Sequence, residues 1–235
     1  MEAIILAGGK GERLGAAAGG RPKALVPVAG RPLAAYQVGM LAAAGVTRVI
    51  VSCSAGTEDE FTKALSGLGP EIVPAPEPEP LGRGGGLRLA AASRREPGDV
   101  FALNGDELVD LDLGAMLARH RETGAAGTIA VVPLKSPFGV VELGAEDVVT
   151  GFREAPELPH WVSCGVYVLG ESALEALPER GDHEDSTFPE LAAAGRLRAF
   201  RHTGLWITVN TPKDLRRAEE ALGSEGALTL VGKLG

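Results

Sequence analysis

Short apolar runs without polar alternation recur at Glu2–Ala7 (EAIILA), Arg48–Cys53 (RVIVSC), Val100–Leu103 and Gly127–Val132 (GTIAVV), and stretches with helical spacing separate them. A run with no polar face is buried on both sides, which is how the strands of a parallel sheet read. Arg31–Ala44 sets Leu33, Tyr36, Met40, Leu41 and Ala44 on an amphipathic helix with only Gln37 off-pattern. Thr57–Ser66, Leu87–Arg95 and Asp112–Glu122 also read as helices. Strands alternating with helices imply right-handed βαβ units, hence a three-layer α/β/α, Rossmann-like architecture around a mostly parallel sheet. Ligands of such sheets bind beyond the carboxyl ends of the strands.

The rest of the chain changes character. From about 133 to 170 it is strand- and turn-rich (FGVVEL, DVVTGF, CGVYVL), a small insertion on the sheet and a candidate homodimer surface. Short helices follow near Glu171–Leu177 and Thr187–Ala194, then a strand-like LRAFRHTGLW. Thr211 caps the final helix, Pro212 occupies its first position, and Asp214 lies three residues after the cap. Upstream, EIVPAPEPEPLGRGGG reads as a stiff connector running into a glycine-rich lead. The expectation is one domain over 1–222 with a C-terminal tail at 223–235.

Composition narrows the partners. A net charge of −8, from 23 basic and 31 acidic residues, argues against nucleic acid or an anionic membrane, though a local basic pocket remains compatible. Cys53 and Cys164 read as reduced core thiols, and MEAIILAGG lacks the basic region of a secretory leader. No stretch approaches the ~18–20 apolar residues of a membrane span. The expected compartment is the cytoplasm. His120, His160, His183 and His202 show no ligand spacing, so no zinc-type centre is expected.

Residues 3–15, AIILAGGKGERLG, leave the first strand through four glycines that carry a lysine and an arginine among them. Ordered glycine gives up more backbone entropy than any other residue, so the backbone itself must approach a ligand closely. The flanking cations make that ligand an anion, with phosphate first. A Walker-type loop fails on spacing, because Lys10 precedes Gly11. A dinucleotide fingerprint fails too: Gly9, Gly11 and Gly15 give G-x-G-x-x-x-G, and the second strand ends Val51-Ser52-Cys53-Ser54 without an acidic residue.

LAGGKGERL followed by RPKALVPVAGRPL resembles the nucleotidyltransferases that carry L-A-G-G-x-G-T-R-L and then P-K-x-L-x-P-V-x-x-x-P. Farther on, EPEPLGRGGGL resembles their E-x-x-P-L-G-T-A-G-A-L, FALNGD their strand plus N-G-D, and LWITVNTPKDL their W-x-D-x-x-T-P-x-D-L. The resemblance implies attack by an acceptor phosphate on the α-phosphorus of a nucleoside triphosphate, with release of pyrophosphate. It implies that Leu6, Ala7, Gly8, Gly9, Lys10 and Gly11 cradle the triphosphate. Arg13 would hold the β,γ-phosphates, Lys23 the α-phosphate and Asp106 a Mg²⁺ ion, with Asn104 among the nucleotide-binding residues. Gly82, Gly84 and Gly85 would lie against the base, with Glu79 reading its edge.

Two departures stand out. The acceptor-contacting E-K-P and N-x-G of sugar-1-phosphate members are replaced by Glu154-Ala155-Pro156 and Ser163-Cys164-Gly165, leaving Glu154 and Gly165 as the acceptor-side residues. The second metal-holding Asp position carries Thr208, so Asn210 would offer a carbonyl oxygen instead. T-V-N-T-P-x-D-L is also similar to relatives that activate cofactor precursors (molybdopterin or cobinamide phosphate) and to inositol-1-phosphate cytidylyltransferases. With about 13 residues after the final helix, the chain is expected to lack the C-terminal β-helix of some members. A sugar-1-phosphate is the first acceptor implied; guanylyl or cytidylyl transfer to a cofactor precursor or inositol-1-phosphate is the alternative. A nucleotide-binding module without chemistry is a reading of another class, and an NAD-dependent oxidoreductase rests on the α/β pattern alone.

Overall fold

The computed structural model describes residues 1–9 and 11–223. Lys10 and the tail read at 223–235, apart from Gly223, lie outside the described residues. In chain order the elements are β1 (Glu2–Leu6), β2 (Pro27–Val28), β3 (Arg31–Pro32), α1 (Leu33–Ala43), β4 (Arg48–Ser54), α2 (Glu58–Leu65), β5 (Glu71–Glu77), α3 (Gly82–Ala91), β6 (Val100–Asn104) and β7 (Glu107–Val109). There follow α4 (Leu113–Thr123), β8 (Gly127–Lys135), β9 (Val140–Leu143), β10 (Val149–Arg153), β11 (Glu157–Leu169), α5 (Glu171–Glu175), α6 (Thr187–Ala193), β12 (Leu197–Arg201), β13 (Trp206–Thr208) and α7 (Pro212–Gly223).

Seven strands form one sheet in the order β12-β8-β11-β6-β1-β4-β5. β1 runs parallel to β4 and β6, β4 to β5, and β8 to β12; β11 alone runs antiparallel, between β6 and β8. The unalternating strands are buried on both faces, as their composition requires. Ile5, Val49, Val51, Phe101 and Leu103 meet α1, α2 and α4 on one side; Ile4, Ile50, Val100 and Ala102 meet α3, α5 and α6 on the other. Each such fully buried Ile, Val, Leu or Phe contributes about 1.5–3 kcal/mol. A third cluster joins Leu14, Val26, Val28 and Tyr36 to Leu108, Ile207, Val209 and Leu222, tying α7 and the two-stranded β7–β13 ribbon to the segment after β1.

Three local expectations are corrected. Residues 71–77 are a strand despite Pro74 and Pro76: β5 is the sheet edge, where a missing N–H need not interrupt a ladder. α3 starts at Gly82, five residues before Leu87, because the 178–183 segment caps it: Gly181 O accepts from Gly84 N (2.9 Å) and Gly85 N (3.2 Å), and Asp182 Oδ1 from Arg83 N (2.8 Å). Those bonds offset the roughly 1 kcal/mol per residue by which glycine disfavours a helix. α1 is not amphipathic, being buried from Leu33 to Leu41, Gln37 included.

β8 and β11 belong to the main sheet, so only β9 and β10, 140–153, leave it as a separate ribbon. Cys53 and Cys164 are free, buried thiols, and burial pushes Cys164 up to about 12. Among the described residues no helix is long and apolar enough to cross a membrane.

Candidate active site

The carboxyl ends of β6, β1, β4 and β5 open into a cleft of about 990 Å³. β1 delivers its backbone there: Ala7 N donates to Ser52 O (2.7 Å) and Leu6 O accepts from Gly105 N (2.8 Å). Leu6, Ala7, Gly8, Gly9 and Gly11 all line the cleft. Lys23 N donates to Gly9 O at 3.1 Å, so the segment carrying Lys23 is stapled to the glycine loop.

Beyond β6 the chain turns through Asn104-Gly105-Asp106, and only glycine fits the middle position. A Cβ on Gly105 would lie 2.7 Å from Leu6 O. That close approach holds Asp106 beside the glycine loop. Lys23 Nζ lies 2.5 Å from Asp106 Oδ2 and 2.5 Å from Asn210 Oδ1, and Arg13 Nη2 lies 3.2 Å from the same Asn210 oxygen. Four side chains from three distant segments therefore form one network at the cleft.

Asn210 is positioned by its neighbours. Val209 N donates to Asp106 O (2.9 Å), linking the two loops directly. Asp214 Oδ2 accepts from Asn210 N, Thr211 N and Thr211 Oγ1, while Thr211 Oγ1 accepts from Asp214 N, the reciprocal cap expected at the start of α7.

Glu107 was not singled out from the sequence, and it is central. It is 5% exposed, lines the cleft, and accepts through Oε2 from Trp206 Nε1 (2.8 Å) and Thr208 Oγ1 (2.8 Å). Burial, and next the charge of Asp106, push its carboxyl up to about 8. Gln37 supports it from α1, donating to Asn104 O (2.7 Å) and Glu107 O (2.9 Å). The only sequence signals were an acidic residue directly after N-G-D and a polar residue off the apolar pattern of α1.

The β5 side of the cleft differs from expectation. Glu77, the first residue of the E-P-E-P-L-G segment, lies against Gly8 and Gly86; it accepts from Ser52 Oγ (2.7 Å) and Leu81 N (3.1 Å). Glu79 also lines the cleft but is exposed and paired with Arg180 (2.5 Å). Gly82 lines the cleft; Gly84 and Gly85 do not, because the 178–183 segment packs against them. Arg83, unremarked in the sequence, reaches the cleft with Asp182 (3.0 Å) and Glu184 (2.5 Å) as partners.

On the acceptor side, Glu154 is exposed at the end of the β9–β10 ribbon and does not line the cleft. Gly165 stands behind the cleft wall: at φ +72°, a Cβ there would lie 2.8 Å from Asn104 Nδ2 and 2.9 Å from Glu107 Cγ. Asn104 itself lines the cleft, with a buried Oδ1 that has no hydrogen-bond partner among the described residues.

A glycine-lined cleft at the carboxyl edge of a parallel sheet, with a lysine on a carboxylate and an arginine on the asparagine they share, is the form of a nucleotide-handling α/β protein. A family model described as nucleotidyl transferase matches residues 2–225, and the chain belongs to that family. A mannose-1-phosphate guanylyltransferase of Mycobacterium tuberculosis is 34% identical over 234 residues, 94% of this chain and 64% of that protein. The mannose-1-phosphate guanylyltransferase catalytic subunit beta of Drosophila pseudoobscura is 33% identical over 221 residues, 90% of this chain and 60% of that one. The chain thus spans a little over three-fifths of the length of such relatives. HddC from Yersinia pseudotuberculosis superposes with a TM-score of 0.74 at 24% identity, over 94% of this chain and 99% of that one. A Bacillus anthracis protein described as a putative glucose-1-phosphate thymidylyltransferase gives 0.76 at 18%, over 94% and 95%. At those identities the two structures attest the fold.

Proposed function

We propose that this chain, as a single nucleotidyltransferase domain over residues 1–222, transfers a nucleoside monophosphate from a nucleoside triphosphate to a sugar-1-phosphate. The observation that carries the reading is the convergence of Lys23, Asp106, Asn210 and Arg13 beside the glycine loop. The mannose-1-phosphate guanylyltransferase relatives support a sugar-1-phosphate acceptor and make GTP the first donor to try.

In the reaction an acceptor phosphate oxygen forms a bond to the α-phosphorus. The bond from that phosphorus to the α,β-bridging oxygen breaks, and pyrophosphate leaves with the electron pair. Both reactants are anions, so alignment and charge neutralisation do most of the work. Backbone N–H groups of the glycine loop meet phosphate oxygens without side-chain obstruction. Arg13 offers planar, multidentate donors to the departing phosphates, and Lys23 a compact charge nearer the α-phosphorus.

The residues present also fit a divalent cation. Asp106 Oδ2 and Asn210 Oδ1 both point at one positive centre, now the Lys23 ammonium. One carboxylate and one carbonyl oxygen suit Mg²⁺, which binds few protein groups and completes its shell with phosphates and water. Among the described residues no cluster of three or more His, Cys, Asp or Glu could hold a metal unaided. When bound, Mg²⁺ would neutralise charge on the phosphates. Two free, buried thiols suit the reducing cytoplasm, which is part of this reading.

Pyrophosphate release over a panel of triphosphates and sugar-1-phosphates, with Mg²⁺ and with Asp106→Ala as control, tests the proposal. One productive pair, silenced in Asp106→Ala, is the expected result. A folded protein that binds triphosphate by calorimetry but turns over no pair would replace the enzyme reading with a nucleotide-binding module.

A further inference from the structure

Among the described residues three cations line the cleft. Arg13 and Lys23 converge on Asn210, whereas Arg83 stands apart at the start of α3. Glu79 and Asp182 line the cleft on that side too, and their charge disfavours a phosphate tail there. What fits against Arg83 is the uncharged end of a nucleotide.

The guanidinium is held in an unusual way for a ligand-binding cation. Nη2 lies 3.0 Å from Asp182 Oδ2 and Nη1 2.5 Å from Glu184 Oε2, so both prongs of the fork are taken by carboxylates of the same chain. The side chain is nevertheless 48% exposed, and with its outer edge covered the open part is the flat face. These ion pairs are not what fastens the 178–183 segment. Gly84 N and Gly85 N already donate to Gly181 O, Gly181 N to Leu81 O (2.8 Å) and Arg83 N to Asp182 Oδ1. Pairs this exposed add little to stability. What two carboxylates on two nitrogens of one rigid fork do is fix its plane.

We infer that the face of Arg83 is the platform on which the nucleobase stacks, and that it makes the site favour purines over pyrimidines. The inference deepens the proposed transfer and rests on it for the ligand's being a nucleoside triphosphate. A guanidinium plane attracts the π-face of any base, and the two rings of a purine cover more of it than the single ring of a pyrimidine. Asp182 and Glu184 are positioning residues that act through Arg83 by setting its plane.

Calorimetry with GTP, ATP, CTP, UTP and inorganic tripolyphosphate, each with Mg²⁺, tests the inference without requiring turnover. The wild-type chain should bind the two purine nucleotides about tenfold more tightly than the two pyrimidine ones. Arg83→Gln should lose about tenfold in purine affinity, close that gap, and leave tripolyphosphate affinity unchanged. Arg83→Lys keeps the charge and loses the plane, so it should do the same, which a purely electrostatic role would not produce. Glu184→Gln, away from the cleft lining, should narrow the gap by a smaller factor. A wild type without purine preference overturns the inference, as does a preference that persists in both Arg83 variants. Equal losses for nucleotides and tripolyphosphate overturn it too, because Arg83 would then act on the phosphates or on the fold. The expected binding pattern in a chain that turns over no substrate pair would sink the proposed transfer and uphold the stacking platform.

Discussion

Thr208 faces Glu107 across the β7–β13 ribbon, and its hydroxyl donates to Glu107 Oε2 at 2.8 Å. The position where the motif resemblance implies a second acidic residue thus holds a hydroxyl, and the facing strand supplies a carboxylate. Because Trp206 Nε1 donates to the same oxygen, Glu107 fixes the strand that leads to Asn210. Glu107→Ala leaves both donors without this acceptor, each at a cost of about 1–3 kcal/mol. Thermal unfolding should show a drop of several degrees, with triphosphate affinity falling alongside. Glu107→Gln keeps the shape and one acceptor oxygen, so its loss should be smaller. Equal melting temperatures for Glu107→Ala and wild type would refute the role.

Gly165 combines a positive φ with a lack of room. Gly165→Ala would place a methyl 2.8 Å from Asn104 Nδ2 and 2.9 Å from Glu107 Cγ, in a backbone region that costs a side chain about 1–2 kcal/mol. Denaturant unfolding should register a loss of at least that size. Turnover should fall too, since Asn104 and Glu107 both line the cleft. Gly195→Ala has a similar φ, +66°, but among the described residues, its own chain neighbours aside, nothing lies within 4 Å of the new methyl, so it separates backbone strain from collision.

The contrast between these glycines indicates which features were legible in the sequence. β1, the glycine loop, the Asn104-Gly105-Asp106 turn and the Thr211/Asp214 cap are local, so their residue types and spacing reveal them. The second group depends on segments far apart in the chain. Gln37 looked like a flaw in an apolar stripe and proves to be a strut under Asn104 and Glu107. The helix from Gly82 exists because residues near 181 cap it, and Arg83 is held by Asp182 and Glu184 about a hundred positions away. Glu77 and Glu79 are chemically alike in sequence; only the fold turns one toward Ser52 and the other toward Arg180.

Lys23 and Arg13 should separate kinetically. Lys23 bridges Asp106 and Asn210, whereas Arg13 contacts Asn210 alone. Removing a group that stabilises developing charge costs on the order of 10²–10³ in rate. Lys23→Ala is therefore expected to lower kcat by about that factor with folding intact. Arg13→Lys keeps the charge and loses the planar fork, so it should raise the KM for triphosphate more than it lowers kcat. Steady-state kinetics on the productive substrate pair decides, and an unchanged kcat in Lys23→Ala would remove Lys23 from the chemistry.

His183 gives the protein an acid-sensitive point away from the reacting groups. It is fully buried against Tyr167 and Phe188, with ring centroids at 5.3 and 4.6 Å, and among the described residues neither ring nitrogen has a hydrogen-bond partner. Burial, then the charge of Arg83, lowers its pKa from 6.5 to about 4. The unfolded chain consequently binds a proton that the folded chain refuses between those two values. The contribution of neutral His183 is complete above pH 6.5 and is lost as the pH falls toward 4, about 3 kcal/mol over the window at 1.36 kcal/mol per pKa unit. His183→Leu, apolar and of similar volume, removes that titration. Urea unfolding at pH 7, 6, 5 and 4 should show the wild type losing stability faster than the variant by about that amount. Parallel pH profiles would mean that the imidazole becomes charged in the folded protein after all.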